Sequence, residues 1–228
     1  MHRIYYCLLL VLFLAACTSK PESSSAPPPP KEPEAVNPPP EEPSDERPII
    51  LAFGDSLTEG SGLPPGSGYP EMLQKELDEG GYEYRVINAG IGGETTAGGV
   101  ARLDMALALK PDIVILELGA NDGLRGMPVA TMQANLEEMI VAFKKADADV
   151  VLAGMTLPRN FGAEYISAFE RVFPALAAKH RITLIPFFLE GAGGRPEMNL
   201  EDGIHPNQEG YRLVTANVLK YLEPLLKK

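Results

Sequence analysis

The chain is expected to fold as an α/β domain, with a parallel sheet covered by helices on both faces. Three observations predict this. Short apolar runs rich in Ile, Val and Leu recur between residues 49 and 187, each of strand length. Longer stretches with helical patterning separate them, which is the alternation of βαβ units. The apolar runs also end in polar, Gly-rich segments, and in such a sheet ligands sit outside the carboxyl ends of the strands. A chain of 228 residues suffices for one domain with a sizeable core.

In order, Ile49 to Phe53 is a buried-strand signal that ends at Gly54. Tyr69 to Glu79 reads as a helix, closed by Gly80 and Gly81. Tyr84 to Ala89 is the second strand. Val100 to Leu109 reads as a helix, capped by Thr95 or Thr96. Ile113 to Leu118 is the third strand. Pro128 to Lys145 is a helix with Pro in its first turn. Val150 to Met155 is strand four. Ala163 to His180 is a helix that Pro174 should kink. Thr183 to Phe187 is the fifth strand, and Asn207 to Leu222 the closing helix.

The first 47 residues stand apart. A short basic start, Met1-His2-Arg3, leads into an apolar run from Ile4 to Ala16, too short for a permanent span of roughly 20 residues. Leu14-Ala15-Ala16-Cys17 resembles the bacterial lipobox, so residues 1–16 read as a lipoprotein signal peptide and Cys17 as the lipidated N-terminus. Residues 17–47 follow as a tether, and residues 48–228 as the folded domain. Eleven of the 22 prolines fall from Pro21 to Pro48, a composition that cannot bury an apolar face. Thr18 after Cys17, in place of Asp, resembles outer-membrane sorting in a cell with two membranes. The expected location is therefore the envelope, with the domain facing the periplasm.

Charge and cysteines narrow the function. The formal charge is -11, which argues against nucleic acid as a partner. It also argues against an electrostatic grip on anionic lipid, so attachment has to come from acyl chains, and stable anchoring takes more than one. Cys7 and Cys17 are the only cysteines, so the folded domain has no thiol nucleophile or disulfide. With no Cys and no His cluster, neither a metal nor another cofactor is expected.

Four segments carry candidate chemistry. The base is the starting point. Of His2, His180 and His205, the first leaves with the signal, and His180 ends a helix between Lys179 and Arg181, where positive charge suits the dipole. His205 follows Asp202 by three residues, close enough for a carboxylate to orient the imidazole. Read singly, this is also a turn that caps the last helix. Ser56 follows the first strand in Gly54-Asp55-Ser56-Leu57, where a serine can be nucleophile or helix cap. Position 58 is Thr, so the Gly-x-Ser-x-Gly elbow is absent. A tetrahedral intermediate also needs donors aimed at its oxygen. The Ser56 N–H, a Gly N–H in Gly90-Ile91-Gly92-Gly93 and the Asn121 amide are candidates.

Together Gly54-Asp55-Ser56-Leu57, the second-loop Gly, Gly119-Ala120-Asn121-Asp122 and Asp202-x-x-His205 resemble the four blocks of the GDSL/SGNH hydrolase superfamily. The run Glu117 to Gly126, Leu157 to Gly162, Pro186-Phe187-Phe188 and Asp202 to Asn207 resembles its bacterial multifunctional thioesterase, arylesterase and lysophospholipase group. Glu94 stands where that group usually has Asp. The resemblance implies a flavodoxin-like three-layer α/β/α sandwich with a five-stranded parallel sheet. It implies hydrolysis of a small acyl ester or thioester by a monomer. Ser56 would be the nucleophile, His205 the base and Asp202 its orienter, while Ser56, Gly93 and Asn121 would form the oxyanion hole. Leu124, Leu157 and Pro158 are expected to line the acyl site. Two other classes stay open: an acetylesterase acting on acetylated glycans, and a non-enzymatic envelope lipoprotein that uses the fold to bind.

Overall fold

Residues 45–228 are described by a computed structural model. The signal peptide, Cys17, His2 and most of the tether lie outside the described residues. Asp45 and Arg47 open the described unit as an ion pair, and Arg47 also donates to the Tyr84 carbonyl.

The sheet grows from β1 (Ile49–Gly54), buried along almost its whole length. β2 (Arg85–Gly90) and β3 (Ile113–Glu117) pair with it in parallel on either side, so that Ile50 lies between Val86 and Ile113. β4 (Asp149–Ala153) and β5 (Thr183–Ile185) extend the sheet to the order β2-β1-β3-β4-β5. Buried strands need apolar side chains on both faces, and Ile50, Leu51, Val114, Ile115, Val151 and Leu152 supply them.

The chain runs from β1 outward to β2 and then crosses back to β3. With right-handed crossovers, this reversal puts successive helices on opposite faces. α2 (Tyr69–Glu79) and α8 (Gln208–Leu222) pack together on one face. α3 (Thr96–Ala101), α6 (Val129–Lys145) and α7 (Ala163–His180) pack on the other, with α4 (Leu103–Ala108) following α3. Two short helices, α1 (Ser56–Glu59) and α5 (Ala120–Leu124), open directly after β1 and β3. The result is the expected three-layer sandwich. Its reversal point lies between β1 and β3, at the edge where such folds bind ligands.

Local expectations differ from this in three places. The helix expected over Val100 to Leu109 is two helices that meet at Arg102 (φ -110°, ψ 12°), and the first begins at Thr96. Gly98 and Gly99 weaken the helical signal there. Gly99 is nonetheless required, because a Cβ would come within 2.5 Å of Leu118. Neither Thr95 nor Thr96 caps it through its side chain. α7, by contrast, has the expected bounds, with Pro174 inside it on the exposed side together with Glu170. β5 ends at Ile185, because Pro186 has no N–H to offer the sheet. The turn-forming residues Asn121, Asp122 and Gly123 are helical, not loop.

Candidate active site

β1 delivers Ser56 to the sheet edge as the first residue of α1. Asp55 caps that helix, with Oδ1 accepting the Leu57 N–H at 3.0 Å. Ser56 is half-buried and its Oγ lies 2.9 Å from His205 Nε2. His205 Nδ1 lies 2.7 Å from Asp202 Oδ2. The other Asp202 oxygen accepts the N–H groups of Ile204 and His205, both at 3.0 Å. Burial pulls the Asp202 carboxyl upward, but the imidazole and these two N–H groups outweigh it and hold it down at about 2. It therefore stays anionic and can stabilise an imidazolium.

The loop that carries the pair is tied in place. Leu200 N–H donates to the His205 carbonyl at 2.8 Å, and Asn207 caps α8 through the Gly210 N–H. Two segments 149 residues apart in sequence thus meet through one hydrogen bond.

The second loop turns at Gly93, whose φ of +73° disfavours any side chain. Neither the Gly93 nor the Ser56 N–H has a partner among the described residues. Arg125 donates to the Gly93 carbonyl at 2.7 Å. Glu94 next to it receives both Nε and Nη2 of Arg102, whose Nη2 also reaches the Gly54 carbonyl at 3.1 Å. The Arg102 guanidinium lies over the Phe53 ring. Arg102 thus leaves the helical path to lock the second loop to the end of β1. Glu94 completes that lock by accepting from Arg102.

From the third loop, the Asn121 amide donates to Asp55 Oδ2 at 2.9 Å. Asp122 accepts the Thr96 N–H and hydroxyl, joining α5 to α3. Beneath the serine lies Glu117, fully buried, with Oε2 accepting from Thr58 at 2.8 Å and from the Asp55 N–H at 3.3 Å. Burial pushes the Glu117 carboxyl well up, and the neighbouring Asp55 charge pushes it further. Burial likewise lifts Asp55 to about 6, against the opposing pull of the Leu57 N–H and the Asn121 amide.

Asp55, Ser56, Gly93, Asn121 and His205 border a cavity of about 1110 Å³. Leu124, Leu157 and Pro158 line it, with Ile166, Phe187 and Leu189. Sequence reasoning left several parts of the site without a role: Asp55, Glu117, Arg102 and the last three of these lining residues. Two of the signals were there to be read. Asp55 sits at a cap position, and Glu117 is a lone charge in an apolar strand. His180 lies elsewhere, with Nε2 at 2.9 Å from Glu137 on α6.

Residues 52–213 match the GDSL-like lipase/acylhydrolase family. The chain belongs to this family. It is similar to the esterase TesA of Pseudomonas aeruginosa, 48% identical over 178 residues that cover 78% of this chain and 89% of that protein. It is also similar to thioesterase 1/protease 1/lysophospholipase L1 of Escherichia coli K12, 35% identical over 178 residues, 78% of this chain and 84% of that one. A crystal structure of TesA superposes with a TM-score of 0.76 at 47% identity, covering 78% of this chain and 99% of that one. The family match includes Ser56, Gly93, Asn121 and His205, which line the cavity, and Asp202, which bonds His205 behind it.

Proposed function

We propose that the chain hydrolyses carboxylic ester and thioester bonds through an acyl-enzyme on Ser56, and does so from a lipid anchor at Cys17 on the cell envelope. One observation carries the chemistry: hydrogen bonds run unbroken from Asp202 through His205 to Ser56 Oγ at the mouth of an apolar cavity. Ser56 Oγ attacks the acyl carbonyl while His205 Nε2 takes its proton, and Asp202 steadies the imidazolium. The developing oxyanion meets the Ser56 and Gly93 N–H groups and the Asn121 amide. The C–O or C–S bond breaks and the leaving group departs with the proton from His205. Water, activated by the same imidazole, then releases the acid and restores Ser56.

The apolar lining suits a medium or long acyl chain. The names of the relatives, an esterase and a thioesterase 1/protease 1/lysophospholipase L1, agree with ester and thioester hydrolysis. The test is turnover of p-nitrophenyl esters from acetyl to palmitoyl, and of an acyl-CoA, by the full chain and its Ser56→Ala variant. Serine-dependent turnover that peaks at medium or long chains is expected. A peak at acetyl alone would instead indicate deacetylation of glycans. No turnover from folded protein would make this a binding module.

A further inference from the structure

The reaction as written uses neither of the two carboxyls buried under Ser56. Asp55 is 1% exposed, Glu117 and Thr58 are 0% exposed, and Asp55 touches the one oxyanion donor that can rotate. We propose that Asp55 is a positioning residue that aims the Asn121 amide into the oxyanion hole, with Glu117 and Thr58 holding Asp55 in turn.

A side-chain amide is nearly symmetric in shape. The Oδ1 and Nδ2 ends of Asn121 have nearly the same shape, so packing alone does not choose between them. A partner must choose. Asp55 Oδ2 at 2.9 Å accepts from Nδ2, whereas the flipped amide would set its carbonyl oxygen against a carboxylate. One Nδ2 hydrogen is spent on Asp55, and the other is left for substrate. The Ser56 and Gly93 donors are backbone groups and need no such device.

Asp55 is itself over-determined. Its N–H reaches Glu117, its Oδ1 takes the Leu57 N–H, and its Oδ2 takes Asn121. Two carboxyls this buried and this close cannot both ionise. Glu117 Oε1 has no polar partner among the described residues, a place an ionised oxygen could not occupy cheaply. The proton therefore stays on Glu117, and Asp55 keeps the charge that orients the amide.

This rests on the assignment of Asn121 to the oxyanion hole, and a double-mutant cycle separates the two claims. The full-length variants Asn121→Ala, Asp55→Ala and their double are compared with the parent for kcat, KM and thermal midpoint. Asn121→Ala and Asp55→Ala are each expected to lower kcat by about 10²-fold with little change in KM, the size of one lost oxyanion donor. The double should be scarcely worse than either single, because both remove the same interaction. A purely structural role would lower the midpoint in both backgrounds without that non-additivity. If Asp55→Ala does not fold, Asp55→Asn takes its place. Its single carbonyl oxygen cannot serve both Leu57 and Asn121, and the same kcat pattern is expected. Costs that multiply in the double, or a displaced pH–rate profile that persists without the Asn121 amide, would overturn the proposal and point to Asp55 acting on His205. Full kcat for a folded Asp55 variant beside a crippled Asn121→Ala would overturn the proposal alone. An unaffected Asn121→Ala would remove Asn121 from the hole and take both claims down.

Discussion

At the scale of single residues, the two histidines of the described domain separate function from stability. His205 Nε2 faces Ser56 and Nδ1 faces a carboxylate held at about 2, so the ring is oriented and ready to accept a proton. His205→Ala should remove nearly all esterase turnover, and substantial residual rate would eliminate it as the base. His180 bonds Glu137, which also takes Lys179, in a cluster that joins α7 to α6 near the surface. His180→Ala should leave kcat unaltered and cost about 1 kcal/mol, the scale of a single side-chain hydrogen bond. A large loss of activity there would mean that the base has been misassigned. The pairing of His205 with Asp202 was legible in the sequence, because Asp202-x-x-His205 carries its partner within three residues. The partners of Asn121 and Gly93 were not legible, since Asp55 and Arg125 reach them across 66 and 32 residues.

At the scale of elements, the strands and long helices could be read from apolar runs and helical spacing, because burial on both faces demands those residues. What escaped was set by tertiary contacts. Arginine is a good helix former, so nothing local announces that Arg102 ends α3. It does so because Glu94, the Gly54 carbonyl and the Phe53 ring together hold its guanidinium. Asn121-Asp122-Gly123 reads as a turn, yet Asp122 is satisfied by Thr96 from α3 and the segment winds into α5. The seat of α1 is likewise tertiary. A Cβ on Gly90 at the end of β2 would lie 2.1 Å from the Glu59 backbone nitrogen and 2.6 Å from its Cα. Gly90→Ala must therefore push α1 off the sheet edge and carry Ser56 with it. We expect a loss of about 1–3 kcal/mol, typical of overpacking, together with a fall in kcat. A thermal melt and an ester assay on the purified variant test this, and an unshifted midpoint would show that α1 is not held by this contact.

At the scale of the whole molecule, two carboxyls shifted in opposite directions oppose each other as pH changes. A formal charge of -11 makes neutral pH self-repulsive. Asp55, lifted to about 6 by burial, adds to this. Its folded pKa lies above the ordinary 3.8, so between roughly pH 6 and 4 the folded state binds a proton that the unfolded state does not. Stability from this group therefore rises on acidification through that window. Asp202 has the opposite sign. Its folded value of about 2 lies below 3.8, so its contribution is complete above pH 4 and is lost as pH falls from there toward 2. With its side chain 46% exposed, that contribution is small. The thermal midpoint should thus rise modestly from pH 7 to 5 and fall below pH 4. Asp55→Asn should flatten the first limb and leave the second in place. An unchanged rise in that variant would show that Asp55 does not produce the limb and would leave Glu117, whose carboxyl burial also raises, and surface repulsion as its sources. Attachment is tested on the same scale: Cys17→Ser should move the full chain from the membrane fraction to the soluble one. A variant that still pellets with membranes would refute the lipid anchor, because a chain this acidic has no electrostatic means of staying on anionic lipid.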